Sequence, residues 1–268
     1  LLLAALQVWI TNVIAFALWY WDVVGGGSRP RCRSYDPRNW GADAIYDIVD
    51  NKLIYRGTYK LPAPQTETEN CVAHNGSIVP VPGRDIFVQA WYQGGLSVID
   101  FTDSTKPTEI AFFDRGPISD KAEVLGGYWS TYWYNGRIYG TEIARGLDVL
   151  ELVPSPYLSA NELAAAKAAT HGGTFNPQQQ FPIGWPDAPV VARAYIDQLQ
   201  REGRFNAKQV ATLSAMLDKA QARLDASQKD AAVAAELRTH VGHLKGAAAG
   251  TRSAMLAKLM EALAVKLS

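Results

Sequence analysis

The sequence predicts an α+β chain: a partial β-propeller of two to three blades, then a helical bundle, with an apolar helix in front. Three observations carry this. Residues 43–153 read as short strands separated by turns, and within them a motif recurs at a period of about 51 residues. After about residue 205 the aromatic-rich composition gives way to Ala, Leu, Lys and Gln with helical spacing. Residues 1–21 carry no charged side chain.

The elements follow in chain order. LLLAALQVWITNVIAFALWYW at 1–21 contains only Gln7, Thr11 and Asn12 as polar members, and its length suits a bilayer-spanning helix. Trp9 and Trp19-Tyr20-Trp21 suit the aromatic belts at a membrane interface. A buried core helix is the other reading of this run. Neither a basic leader nor a small-residue cleavage site marks it as a signal peptide. With Leu1 as its first residue, the chain reads as a fragment or a processed product.

The domain boundaries fall at 1–24 (the apolar segment), 25–153 (the propeller part), 154–186 (a helix and Pro-rich connector) and 187–268 (the bundle). Ala44–Val49 and Leu53–Arg56 flank Asp50-Asn51-Lys52, a strand, tight turn and strand. Further strands are expected at Ser77–Pro80, Asp85–Gln89, Gly95–Asp100, Thr108–Phe113, Arg137–Gly140 and Leu147–Leu152. Ile86-Phe87-Val88 before Gly95-Leu96-Ser97-Val98-Ile99-Asp100 recurs as Ile138-Tyr139-Gly140 before Gly146-Leu147-Asp148-Val149-Leu150-Glu151. Strand units at this period point to propeller blades.

In the helical part, Ser159 with Glu162 forms a capping box. Asp187 is expected to cap a helix ending at Gly203, and Asn206 with Gln209 to start the next. Val210, Leu213, Leu217, Ala220 and Leu224 form one apolar stripe. Leu237, Val241 and Leu244 form a second, and Met255, Leu256, Leu259, Leu263 and Leu267 a third. Such stripes are core positions of a small bundle.

With 26 basic and 26 acidic residues the chain has no net charge, which argues against nucleic acid as a partner. No phosphate-binding loop, dinucleotide fingerprint or serine elbow is present. His74-Asn75 follows Glu67, Glu69 and Cys71 in a loop entering a strand, a setting for a base or metal ligand, though the spacing matches no ligand motif. Trp91, Tyr92, Trp129, Tyr132 and Trp133, with Glu142, fall near expected blade ends. They would line an aromatic pocket for a protein, peptide or glycan, or pack between blades. No resident cofactor is expected, and a metal ion has no supporting motif. Cys32 and Cys71 are a candidate disulfide if the chain is secreted, and buried thiols otherwise.

From about residue 25 onward the chain resembles bacterial LVIVD-repeat proteins, secreted β-propellers. The stretches that carry this are GGGSRPRCR (25–33), WGADAIYDI (40–48), ENCVAHNGSIVPVPGRDIFVQAWYQGGLSVIDFTDS (69–104), GGYWSTYWYNGRIYGTEIARGLDVLEL (126–152) and FNPQQQFP (175–182). The resemblance implies a non-enzymatic binding or scaffold module, secreted or in the cell envelope, with further blades upstream; it supplies no catalytic residues. The alternatives are a hydrolase or metal-dependent enzyme with its site at the propeller mouth, and a membrane-embedded protein whose function lies with residues 1–24. Residues 1–24 instead resemble a segment of a multi-pass bacterial inner-membrane protein, implying membrane contact only through 1–21. The two resemblances meet at Gly25-Gly26-Gly27, where the chain reads as a join between two unrelated pieces.

Overall fold

A computed structural model describes residues 42–62, 65–170, 183–246 and 250–268. It is a mixed α+β structure with three small antiparallel sheets and, among the described residues, five helices; no sheet closes on itself. The expected helix over 1–21 lies outside the described residues, and among these no helix is long and apolar enough to cross a membrane.

The first sheet is the hairpin β1 (Ala42–Val49) and β2 (Lys52–Lys60). Its turn residues Asp50 and Asn51 have φ of 51° and 59°, the left-handed pair that a two-residue turn needs and that Asp and Asn tolerate. The second sheet is a four-stranded meander of β3 (Gly76–Val79), β4 (Ile86–Ala90), β5 (Leu96–Asp100) and β6 (Thr108–Phe113). The third has β7 (Tyr128–Tyr134), β8 (Arg137–Glu142) and β9 (Gly146–Leu150). Strand β7 has no counterpart in the sequence reading, because YWSTYWY does not alternate apolar with polar.

The ladders relate the second and third sheets residue by residue. Ala90 pairs Leu96 and Val88 pairs Val98; Thr141 pairs Leu147 and Tyr139 pairs Val149, each partner 51 positions on. The equivalent of Ile138 is therefore Phe87, one residue from the match the sequence suggests. The shift matters because one position moves a side chain to the opposite face. With the corrected match, Leu96 and Leu147 occupy equivalent faces but differ in surroundings. Leu96 is 3% exposed in the core between the sheets, whereas Leu147 is 61% exposed on the far side of the third. Ile86, Val88 and Val98 from one sheet and Trp133, Ile138 and Leu150 from the other make that core.

The first strands of the two meanders lie side by side, joined by a parallel bridge between Asn75 and Ser130. The Ser77 hydroxyl adds a bond from the Trp133 amide at 2.7 Å. The other face of the second sheet packs on the hairpin through Tyr59, Trp91 and Ile99.

The helices are α1 (Ala160–Lys167), α2 (Pro189–Arg201), α3 (Ala207–Asp225), α4 (Ala231–Gly246) and α5 (Thr251–Leu267). Ser159 and Asn206 each form the expected capping box. Asp187 does not cap α2: Ala188 holds that position without a side-chain bond, and Pro189 pre-sets the first turn. The Asp187 carbonyl instead accepts from Lys266 Nζ at 2.6 Å. Leu213, Leu217, Ala220, Leu237, Leu256 and Leu263 form one buried core, while Met255 of the expected stripe stays 38% exposed. Helix α1 is shared: Ala165 joins the helical core, while Leu163 and Ala166 pack under the sheets.

Candidate functional site

Three of the sequence-selected aromatic residues meet at the joint between the second and third sheets. His74 ends the loop entering β3, Tyr92 lies in the β4–β5 loop, and Trp129 is the second residue of β7. Their rings stand 5.0 Å (His74–Tyr92), 4.3 Å (His74–Trp129) and 5.9 Å (Tyr92–Trp129) apart. Backbone pairing holds them. Tyr92 and Tyr128 exchange both amide bonds, at 3.2 and 2.8 Å, and Asn75 bridges Ser130 next to His74. A bulge at Tyr128/Ser130 turns Trp129 outward, leaving it 49% exposed.

Gly127 makes the joint feasible. Its φ is +89°, and a Cβ there would lie 1.9 Å from the Tyr92 carbonyl carbon. This glycine escaped the sequence reading, although the Gly126-Gly127 pair before an aromatic run is a signal for close backbone approach.

The His74 ring is oriented by the Trp129 carbonyl, which accepts from Nδ1. Because a carbonyl oxygen only accepts, that bond requires a proton on Nδ1. The trio thus offers flat apolar faces and one polar ring edge.

No protein-family model matches the chain, and no curated protein matches its sequence. The site is therefore read from its geometry.

The remaining selected residues go elsewhere. Trp91 is wholly buried against Tyr59 on the opposite face of the second sheet, with Nε1 unpartnered. Tyr132 faces Tyr139 across the β7–β8 ladder. Glu142 is buried: Oε1 accepts the Gly127 amide, and Oε2 has no partner. It braces the backbone at Gly127. Asn75 contributes its carbonyl, which accepts from the Ala90 amide at 3.2 Å. Cys71 is buried beside the Glu69 carbonyl, and Cys32 lies outside the described residues, as does the expected disulfide between them.

Among the described residues no group of three or more His, Cys, Asp and Glu is arranged to hold a metal ion.

A second polar cluster lies between the hairpin and the second sheet. Tyr59 donates to Glu109 Oε2 at 2.8 Å, and Ser97 donates to the same oxygen at 2.6 Å. Beside it, Asp43 Oδ1 accepts from Gln89 Nε2 at 3.0 Å, while Oδ2 is shielded without a partner. Burial pushes the Asp43 carboxyl up to about 7, against a smaller lowering by the Gln89 bond. Burial also raises the Tyr59 hydroxyl well above its ordinary value.

Proposed function

We propose that this chain is part of an LVIVD-type β-propeller that acts as a non-enzymatic binding or scaffold module outside the cytoplasm. Its ligand surface is the His74–Tyr92–Trp129 joint, and the ligand is a protein, peptide or glycan presenting a flat ring. The observation that carries the reading is the parallel bridge between Asn75 and Ser130. These residues are equivalent by the ladders: Ser77 pairs Val88 and Tyr132 pairs Tyr139, so the first strands correspond at an offset of 55.

Equivalent residues side by side and parallel are what rotation of one meander onto the next about an axis along the first strands would produce, as between propeller blades. The equivalent faces of Val98, covered, and Val149, 48% exposed, fit the same reading, since a further blade would cover the second.

Nothing in the trio requires catalysis. The His74 Nδ1 is engaged by a carbonyl and Glu142 by an amide, so both have structural work. The reading is tested by probing glycan and peptide arrays with the wild-type chain and with His74→Ala and Trp129→Ala. Ligands bound by the wild type should lose about fivefold or more in affinity in both variants, since stacking is worth roughly 1 kcal/mol per ring. Ligands bound equally by all three proteins, or no ligand at all, would overturn it.

A further inference from the structure

Among the described residues the hairpin β1–β2 pairs with no other strand, and its burial is concentrated at its base. Along β2, residues 52–56 are exposed, whereas Gly57 and Tyr59 are buried. A lone two-stranded hairpin is marginal in water, so this one depends on its contact with the second sheet. The ladders show what occupies that contact in the corresponding unit. Arg56 is passed over between the pairs Ile45–Gly57 and Tyr46–Tyr55, as Ile110 is between Val98–Ala111 and Ile99–Glu109. Strands β1–β2 therefore correspond to β5–β6, with Asp43 at the position of Leu96 and Tyr59 at that of Phe113. Leu96 is buried in an apolar core; the hairpin carries a carboxyl group at the same place.

The surroundings of Asp43 do not compensate a charge. Gln89 Nε2 donates to Asp43 Oδ1 at 3.0 Å and to the His74 carbonyl at 3.1 Å, so both of its amide protons are used. Asp43 Oδ2 is shielded with no partner. In the same interface Trp91 Nε1, wholly buried where the indole meets Tyr59, has no acceptor. The ionisable groups facing Asp43 are Tyr59, opposite it on β2, and Glu109 on β6, whose Oε2 accepts from the Tyr59 and Ser97 hydroxyls. Strands β4 and β5 present Gln89, Trp91, Ser97 and Ile99, all neutral. Lys60 pairs with Ala42, one position along, and so belongs to the alternate face. Among the described residues no lysine or arginine bonds to Asp43. A buried carboxylate in such a setting opposes closure of the hairpin, and the protonated acid permits it.

We infer that the hairpin β1–β2 is a separately opening cover on the second sheet, latched when Asp43 is protonated. Burial pushes the Asp43 carboxyl up to about 7, so closure is favoured in acid and weakens as pH rises through neutrality. Opening uncovers Trp91 and Ile99, which pack against Tyr59 in the closed state. It also removes the Asp43 partner of Gln89, the side chain whose other amide proton is held by the His74 carbonyl. The latch thereby touches the His74–Tyr92–Trp129 surface through one residue. Regulation of ligand binding by this route rests on the proposed function; the latch itself does not, and it is read without a ligand.

Hydrogen exchange of the full chain between pH 5 and 8, read by mass spectrometry and corrected for the intrinsic rate at each pH, reports the opening. Peptides within residues 42–60 should lose at least about tenfold in protection across that range, while peptides within 86–100 stay within about twofold. In Asp43→Asn the hairpin should keep its protection at every pH. If that variant fails to fold, the two segments of the wild type still decide. Parallel loss in both segments would make the event global unfolding and overturn the inference. So would hairpin protection that is independent of pH in the wild type, or a loss that persists in Asp43→Asn.

Discussion

Arg84 donates to the fully buried carboxylate of Glu162 at 2.9 Å, and its other terminal nitrogen donates to Asp100 at 2.5 Å. Arg201 reaches the second Glu162 oxygen at 2.5 Å from the end of α2. One carboxylate thus closes the cap of α1 and ties the β3–β4 turn to the bundle. Breaking a buried pair from one side leaves uncompensated charge. Glu162→Gln should cost on the order of 3 kcal/mol in urea unfolding. A loss below about 1 kcal/mol would mean the contact is dispensable.

The same residue sets an acid limit. Burial would raise the Glu162 carboxyl, but bonds from Arg201 and the Ser159 amide and the charges of both arginines outweigh it and hold the group below the usual carboxylate range. Asp100 is lowered likewise, burial being outweighed by the Thr102 and Arg84 bonds. Carboxylates with depressed folded values contribute stability above the unfolded value of about 4, and it is lost as pH falls through the folded value. Denaturation midpoints should drop below pH 4, and Glu162→Gln should flatten that slope.

Asp43 acts with the opposite sign. Its folded value of about 7 lies above the unfolded one, so the hairpin docks best with the carboxyl protonated. This contribution is complete below about pH 4 and is lost as pH rises to 7. Asp43→Asn should remove that slope and stabilise the protein at pH 8 by roughly 4 kcal/mol. Melting curves from pH 4 to 8 check this, and an unchanged slope would contradict it.

Gly127→Ala tests the joint. The added methyl has no room beside Tyr92, and a φ of +89° is strained for alanine. A loss of about 2–4 kcal/mol is expected, together with increased acrylamide quenching of tryptophan fluorescence as the Tyr92–Tyr128 pairing opens.

Local signals in the sequence were reliable where the physics is local. Asp50-Asn51, the capping boxes at Ser159 and Asn206, and the apolar stripe from Leu213 to Ala220 all depend on neighbours within a turn or two. Two misplacements have equally local causes. The α2 cap slid from Asp187 to Ala188 because Pro189 fixes the start of the helix, and β7 went unnoticed because aromatics occupy both of its faces. The Arg84–Glu162 pair, 78 positions apart, is set by tertiary packing and leaves no pattern in the chain.

The candidate site was half legible. His74, Tyr92 and Trp129 converge, because each flanks a point where the sheets exchange backbone bonds. Trp91 adjoins Tyr92 in sequence but points to the opposite face, as alternation along β4 into the loop requires.

The central claim, that the two meanders are successive rotated units joined along their first strands, is tested most directly by a disulfide trap. In an Asn75→Cys/Ser130→Cys variant, mild oxidation followed by peptide mass mapping should find the 75–130 cross-link in most of the protein. An Asn75→Cys/Tyr132→Cys control, displaced by two residues along β7, should stay largely unlinked. Equal cross-linking in both, or none at 75–130, would contradict the account.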